Sequence, residues 1–262
     1  MKKAIYMLAI AAFAVAFTSC NSCSSQKADA ADEAAAESKA AEEGWISLFD
    51  GKTFNGWRGY NQAGVPDIWS VEPDGSIKVK GNGMGEGSGK ELIYDKKFGN
   101  FELELEWKVS KGGNSGIFYL AQEVPGQPIY ISAPEYQILD NENHVDARLG
   151  ANRQAGSLYD MIAADPQNAK PFGEWNKANI IVYKGTVVHF QNGVKVLEYH
   201  LWTDRWKDLL NSGKFKQGSA EYPLAFDLLY NAGGEDHAGY IGLQDHGDDV
   251  WFRNIRVKDL NQ

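Results

Sequence analysis

Cysteine is almost absent from this chain of 262 residues; the only two are Cys20 and Cys23. Everything after them lacks a thiol. That excludes a disulfide framework, a thiolate nucleophile and a cysteine-ligated metal in the bulk of the protein. Positive charge is also in short supply, with 26 Lys and Arg against 35 Asp and Glu, a net of −9. Binding to a phosphate backbone needs a basic surface, so nucleic acid is excluded as a partner. Long apolar runs are missing apart from Ala4 to Phe17, which is short for a transmembrane span of about 20 residues. Sustained helical periodicity is absent after Gly44, save for one short segment at Thr203 to Asn211. The glycine-rich stretch Gly81 to Gly87 lacks the following helix that a phosphate-binding loop requires, because Glu91 to Phe98 reads as strand. It is expected to be a flexible loop at the rim of a site.

The first residues are a processing signal. Lys2 and Lys3 precede the apolar run, and Thr18-Ser19-Cys20 closes it with small residues, the layout of a secretory leader. A cysteine directly after them resembles a lipobox, so residues 1–19 are expected to be a lipoprotein signal peptide and Cys20 the lipidation site. Cys20 and Cys23 spell C-x-x-C, but a redox motif needs a βαβ context, which a leader and linker do not provide. From Ser24 to Glu43 the chain is Ala, Glu, Ser, Lys and Asp with a single Gln and no aromatic or β-branched residue. Such a segment buries too little to offset its ordering entropy, so residues 20–43 are expected to be a disordered tether. The protein is therefore expected to be exported and membrane-anchored, in the periplasm or at an outer membrane. Residues 1–43 carry 4 basic and 6 acidic groups, leaving 22 against 29 in the domain at 44–262, a net of −7.

That domain reads as strands and turns. Phe101-Glu-Leu-Glu-Leu-Glu-Trp107 alternates apolar and charged, which turns Phe101, Leu103, Leu105 and Trp107 to a core and leaves Glu102, Glu104 and Glu106 as surface charge. Further strands are expected at Ser115–Leu120, Ile180–Tyr183, Val187–Gln191, Val194–Tyr199, Leu224–Tyr230, Gly239–Gln244 and Val250–Val257. Asn192-Gly193 is a strong hairpin signal, since both turn positions need positive φ. Many short strands with 28 glycines point to an all-β sandwich or jelly roll.

All eight tryptophans and eleven of the twelve tyrosines lie in the domain. Aromatic faces stack on the apolar faces of sugars while the rims take hydrogen bonds. Trp45, Trp107 and Trp251 sit in strand patterns and are expected in the core. Trp175, Trp202, Trp206, Tyr159 and Tyr230 lie in loops or at strand ends and are candidates for a binding surface. In Glu135-Tyr-Gln-Ile-Leu-Asp140, Glu135 and Gln137 share one side. Gln244 and His246 face away from the core residues Ile241 and Leu243. This polar set reads either as a solvated sheet face or as a groove in which a carboxylate and an imidazole share acid and base work. The loop from Asp140 to Asp146 is oxygen-rich but lacks EF-hand spacing, and is expected to be solvated. His189 lies in a hairpin strand and is expected to be structural.

Six motifs occur in order: Leu48-Phe-Asp-Gly-Lys-Thr-Phe-Asn-Gly-Trp57, Asn114-Ser-Gly-Ile-Phe118, Glu135 to Asp140, Gly173-Glu-Trp-Asn176, Asn192-Gly193, and Ile241 to Gly247 with Phe252-Arg-Asn-Ile255. In them the chain, from about Gly44 to Leu260, resembles the 3-keto-disaccharide hydrolase family. The resemblance implies a concanavalin A-like jelly-roll β-sandwich acting on a 3-keto-glucoside or 3-keto-disaccharide, whose ketone an upstream sugar C3-dehydrogenase installs. On such a substrate Glu135 or His246 is expected to abstract the C2 proton and the other, or Asp140, to protonate the leaving oxygen, with Asn114, Gln137 and Gln244 orienting the sugar and Tyr159, Trp175 and Tyr230 as walls. A C3 ketone acidifies the C2 hydrogen, so the glycosidic bond can break by elimination. Hydrolase and lyase both remain open, as does a divalent cation. A non-catalytic lectin-like module is the reading from another class, since fold does not fix function. An ordinary glycosidase of the laminarinase type is disfavoured, because no E-x-D-x-E strand is present.

Overall fold

The computed structural model describes residues 44–261; the expected leader, Cys20 and tether lie outside them. Among these residues thirteen strands run in chain order. The first five are β1 (Trp45–Ser47), β2 (Trp57–Gly59), β3 (Trp69–Val71), β4 (Ile77–Val79) and β5 (Leu92–Tyr94). Next come β6 (Phe101–Val109), β7 (Asn114–Ala121), β8 (Glu135–Leu139), β9 (Asn176–Tyr183) and β10 (Thr186–Gln191). The last are β11 (Val194–His200), β12 (Tyr240–Leu243) and β13 (Val250–Asp259). They form two antiparallel sheets. The larger has eight strands in the order β11-β10-β9-β6-β13-β4-β3, with β1 also paired to β13. The smaller has five, in the order β2-β5-β12-β7-β8. This is the β-sandwich expected.

Alternation along β6 builds the larger sheet's contribution to the core. Phe101, Leu103, Leu105, Trp107 and Val109 are buried, while the residues between them are half-exposed. The inward side chains meet Ile117 and Tyr119 of β7 and Tyr136 and Ile138 of β8 in one cluster. Outward, Glu104 pairs with Lys177 and Arg256, and Glu106 with Arg253. His189 is structural, as expected. It is buried, with Nδ1 on Gly156 O (3.0 Å) and Nε2 on the Tyr119 hydroxyl (2.8 Å), which also meets the Tyr199 hydroxyl.

The hairpin β10–β11 turns at Asn192 and Gly193, with φ of 50° and 81°, as the dipeptide requires. Helix α1 (Asp204–Ser212) occupies the expected helical segment, and the Thr203 hydroxyl caps it by accepting from Trp206 N at 3.1 Å.

Leu224–Tyr230 is a correction. Instead of a strand it contains helix α2 (Ala225–Tyr230), which buries Ala225, Phe226 and Leu229. The spacing i, i+1, i+4 is one helix face, and a short apolar run does not distinguish helix from strand by period alone. Trp45 and Trp251 are corrections too. Both lie half-buried under the cations Arg256, Lys78 and Lys108, on the outer side of the larger sheet.

The smaller sheet is covered on both sides. Every residue of β7 and β8 is buried, and the outward Phe118 packs with Ile93, Ile129 and Ala133 in a second cluster. Among the described residues no helix is long and apolar enough to cross a membrane.

Truncating the β6 face should separate its two sides. Leu105→Ala should lower unfolding free energy by about 2–5 kcal/mol, whereas Glu102→Gln should stay within about 0.5 kcal/mol. Equal effects in urea titrations would contradict the alternation.

Candidate functional site

Pairing across the smaller sheet assembles a polar patch on its outer side. Gly116 of β7 stands opposite Gln137 of β8, with Phe118 opposite Glu135 and Asn114 opposite Leu139. From the other neighbour, Gln244 N donates to Gly116 O at 3.0 Å. Gln244 and Gln137 thus flank a residue without a side chain, and Asn114 lies two residues along the same face. Gly116 is required, because a Cβ there would overlap the Glu135 carboxylate. The glycine makes the space in which that carboxylate lies.

Three surrounding segments close the patch into a pocket. Residues 156–159 run along the free edge of β8, where Gln137 N donates to Ser157 O, Gly156 N to Gln137 O and Tyr159 N to Glu135 O, at 2.8–3.1 Å. That edge pairing brings the Tyr159 ring beside Glu135. The turn after β12 carries His246. Asp245 holds this turn by accepting from Ser88 N, Ser88 Oγ and Gly247 N. The glycine-rich loop therefore braces the site, and a Cβ at Gly87 would overlap Asp245 O. Beyond the end of α1, Lys214 N donates to Asp160 Oδ2 at 3.0 Å, and Arg153 grips Asp160 through Nε and Nη2 at 3.0 and 2.7 Å. The result is a cavity of about 200 Å³. Asn114, Glu135, Gln137, Gln244 and His246 form its floor, with Tyr130, Tyr159, Tyr222 and Lys214 around them. It is smaller than the roughly 300–1,000 Å³ of sites for drug-sized ligands; one sugar ring suits it better than a chain.

Burial sets the charge states on the floor. Glu135 is buried, and the loss of hydration pushes its carboxyl up to about 8, against which the Lys214 charge pulls only partly. Burial pushes the His246 imidazole down. At neutral pH the carboxyl therefore holds a proton and the imidazole does not. Lys214 is itself pushed down by burial, with Glu135 opposing the shift.

One polarity of the amide chain links four of the five floor groups. Turned so that each atom meets a matching partner, the Gln137 amide donates to Glu135 Oε1 and Ser115 O, both at 3.1 Å. Its oxygen then needs a donor, which the Asn114 amide supplies across 3.3 Å when turned likewise. Turning Asn114 this way puts its oxygen where Nδ2 otherwise stands, 3.3 Å from His246 Nε2, so that it accepts from the ring. In that arrangement the neutral ring carries its hydrogen on Nε2, and Nδ1 is buried with no partner among the described residues. Gln244 Oε1 is likewise buried and unpartnered. An acid and a base thus lie at opposite ends of one hydrogen-bonded chain.

Of the residues singled out in the sequence, the structure brings Asn114, Glu135, Gln137, Tyr159, Gln244 and His246 together around this cavity. Three lie elsewhere. The Asp140 carboxylate accepts from Gly112 N, Glu142 N, Asn143 N and Asn143 Nδ2, so it braces its loop and has no free position for proton transfer. Trp175 lies under Lys108 and Arg253 on the outer side of the larger sheet. Tyr230 stacks on Phe226 within α2 and packs on the core. Trp206, another aromatic candidate, is fully buried, and Trp202 stacks on His237. Sequence reasoning missed Tyr130, Lys214 and Tyr222, which come from segments with no strand or motif signal.

His144, His246 and Asp248 offer donor atoms within 4.8 Å of one another, a set with the chemistry of a divalent-cation site. His144 Nδ1 already accepts from Asp146 N at 3.1 Å, which puts the hydrogen of the neutral ring on Nε2. A metal-bound histidine instead donates through its second nitrogen. In this arrangement the bond from Asp146 occupies the Nδ1 lone pair of His144, while the closeness of the three donors is compatible with a cation.

Residues 44–258 match the family model described as a 3-keto-alpha-glucoside-1,2-lyase-like domain. The chain is 59% identical to a 3-keto-disaccharide hydrolase of Bacteroides thetaiotaomicron, with all of both chains covered. Two crystal structures from Parabacteroides distasonis, provisionally described as glycosyl hydrolases, share the fold. One superposes with a TM-score of 0.71 at 31% identity, covering 85% of this chain and 97% of that one. The other gives 0.62 at 26% identity, covering 82% and 99%.

The raised Glu135 carboxyl has a consequence for stability. Its folded value of about 8 exceeds the ordinary 4.5, so the folded state binds the proton more tightly, and stability falls as pH rises from about 4.5 to 8. Glu135→Gln removes this dependence. The variant should gain on the parent across that window, by roughly a few kcal/mol at most, and the gain should level off above pH 8. Denaturation midpoints with the same pH slope in both proteins would contradict the buried, protonated carboxyl.

Proposed function

This chain belongs to the 3-keto-alpha-glucoside-1,2-lyase-like family, and from that premise we propose that the cavity is the active site of an enzyme cleaving the glycosidic bond of 3-keto-glycosides. The observation that carries the reading is the pair Glu135 and His246, on one pocket floor, with burial pushing their proton affinities in opposite directions. Oppositely tuned groups of this kind define an acid and a base.

The chemistry follows from the ketone. The imidazole of His246 takes the proton from C2, and the C–H electrons pass into an enolate over C2, C3 and the ketone oxygen. The enolate collapses, the C1=C2 double bond forms, and the C1–O bond breaks. Glu135 gives its proton to the departing oxygen. The products are a free alcohol and an unsaturated keto sugar; addition of water across C1=C2 completes a net hydrolysis. No oxocarbenium-like transition state is needed, nor the paired carboxylates of ordinary glycosidases. Asn114 and Gln137 hold the two groups through the amide chain, and the Gln244 amide and Tyr159 line the place of the sugar. An enzyme that oxidises C3 of the glycoside must act first, which makes a sugar C3-dehydrogenase the pathway partner.

A divalent cation at His144, His246 and Asp248 is the second reading, supported by the closeness of the three donors. It would polarise the ketone and take His246 out of acid–base work. The tautomer of His144 weighs against it.

Leaving-group dependence tests the assignment. Wild-type protein should release alcohol from 3-keto-glucosides and not from the parent glucosides, with kcat falling as pH rises through about 8. Glu135→Gln should lose about 10²–10⁴-fold in kcat when the departing group is a sugar, and little when it is 4-nitrophenol, which leaves unaided. His246→Gln should be impaired with both. If Glu135→Gln loses equally with both leaving groups, Glu135 is the base and the roles are reversed. EDTA should leave the rate unchanged; a rate lost to chelator and restored by a divalent metal would assign the triad to a cation instead.

We further propose that the protein is exported and tethered through a lipid on Cys20, a reading supported by the layout of residues 1–20. Full-length protein should fractionate with membranes, and Cys20→Ser should appear in the soluble fraction. Equal partition of the two would remove the lipid from the account.

A further inference from the structure

Elimination from a 3-keto sugar creates negative charge on the ketone oxygen, and a buried site must answer it with a positive group. His246 is neutral in the resting site and Glu135 carries a proton. Among the described residues lining the cavity, Lys214 is the one remaining cation. Its Nζ lies 4.6 Å from the ring centroid of Tyr159, 4.9 Å from Phe215, and 5.6 Å from both Tyr130 and Tyr222. Four rings hold the ammonium by cation–π attraction, but none of them accepts its hydrogens as an oxygen would. Lysine has three N–H donors. Among the described residues no carboxylate forms an ion pair with this ammonium and no acceptor takes a hydrogen bond from it, although Glu135 and Asp160 act on it through their charge. A half-buried ammonium without an oxygen partner is costly, unless the ligand supplies the oxygen.

The anchor is rigid at the backbone, where Lys214 N is fixed to Asp160 Oδ2, and the buried Phe215 packs against Tyr130 and Tyr222. The side chain is thereby aimed into the cavity beside Glu135. We propose that Lys214 is the catalytic residue that binds the ketone oxygen of the substrate and carries its charge in the enolate. This rests on the reading that the cavity takes a 3-keto sugar. The proton leaves C2 for His246, the electron pair moves onto the ketone oxygen against the ammonium, and the pair returns as the C1–O bond breaks. Charge is balanced at each stage without a further reactant. An unoxidised ring offers a neutral hydroxyl at the same place, so this contact would add to the preference for the oxidised sugar that the acidity of its C2 hydrogen already creates.

The test separates enolate formation from bond cleavage. A 3-keto sugar with no leaving group at C1 should exchange its C2 hydrogen for deuterium in D₂O on wild-type protein, followed by NMR. Lys214→Met should lose about 10²–10³-fold in that exchange and in kcat for a cleavable 3-keto-glucoside, with KM moving far less than kcat. Lys214→Arg should recover part of both, and thermal melts should show that each variant folds. Exchange and cleavage in Lys214→Met within threefold of wild type would overturn the inference while leaving the proposed function intact. Wild-type protein that neither exchanges nor cleaves would sink both. A sugar fixed to Lys214 by borohydride would also overturn the ammonium role, since the lysine would then act through a covalent imine.

Discussion

Both faces of the five-stranded sheet are shut off from water, the inner one by the core it shares with the larger sheet and the outer one by covering segments. Those segments are the 156–159 edge, the turn at 245–247 and the chain beyond α1. Antiparallel sheets commonly leave one face solvated, and here that face would have exposed Asn114, Glu135, Gln137 and Gln244 as ordinary polar residues. Covering it changes the chemistry of each. A buried polar group must find a partner or stay costly, so these side chains bond to one another, and Gln244 Oε1 and His246 Nδ1 stay buried without a partner among the described residues.

The leftover valences describe the ligand. Among the described residues Gln244 Oε1 and His246 Nδ1 have no hydrogen-bond partner, and the Lys214 ammonium has no oxygen acceptor. Glu135 holds a proton it would have lost in water. A polar molecule presenting both hydroxyls and a carbonyl oxygen satisfies this set. The resting site is close to charge-poor, with one aromatic-caged cation, and the proposed reaction creates charge where that cation stands. Folding keeps such a site at a cost, because the large core between the sheets stabilises what the pocket destabilises.

Much of the fold was legible in the chain. The alternation of Phe101 to Trp107, the turn at Asn192-Gly193 and the short helix after Thr203 each depend on a few adjacent residues, and each forms as those residues require. The helix at Ala225–Tyr230 was not legible, because six apolar-rich residues satisfy either period. The site was legible in part. Glu135, Gln137, Asn114, Gln244 and His246 lie on strands or directly after one, so their side could be read from a period of two. Asp140, Trp175 and Tyr230 sit near such patterns, yet a loop, the opposite sheet and a helix claim them.

The sequence by itself determined the class of the protein: an acidic, thiol-free β-sandwich domain whose ordered motifs match one family over residues 44–258. These properties are local or compositional, and neighbouring residues suffice to express them. Only the tertiary structure decided which sheet face became a pocket, that Lys214 enters it from the end of α1, and that Glu135 keeps its proton. Those depend on desolvation and on charges contributed by segments distant in the chain. No spacing rule encodes them, because the free energy of a buried charge is set by everything packed around it.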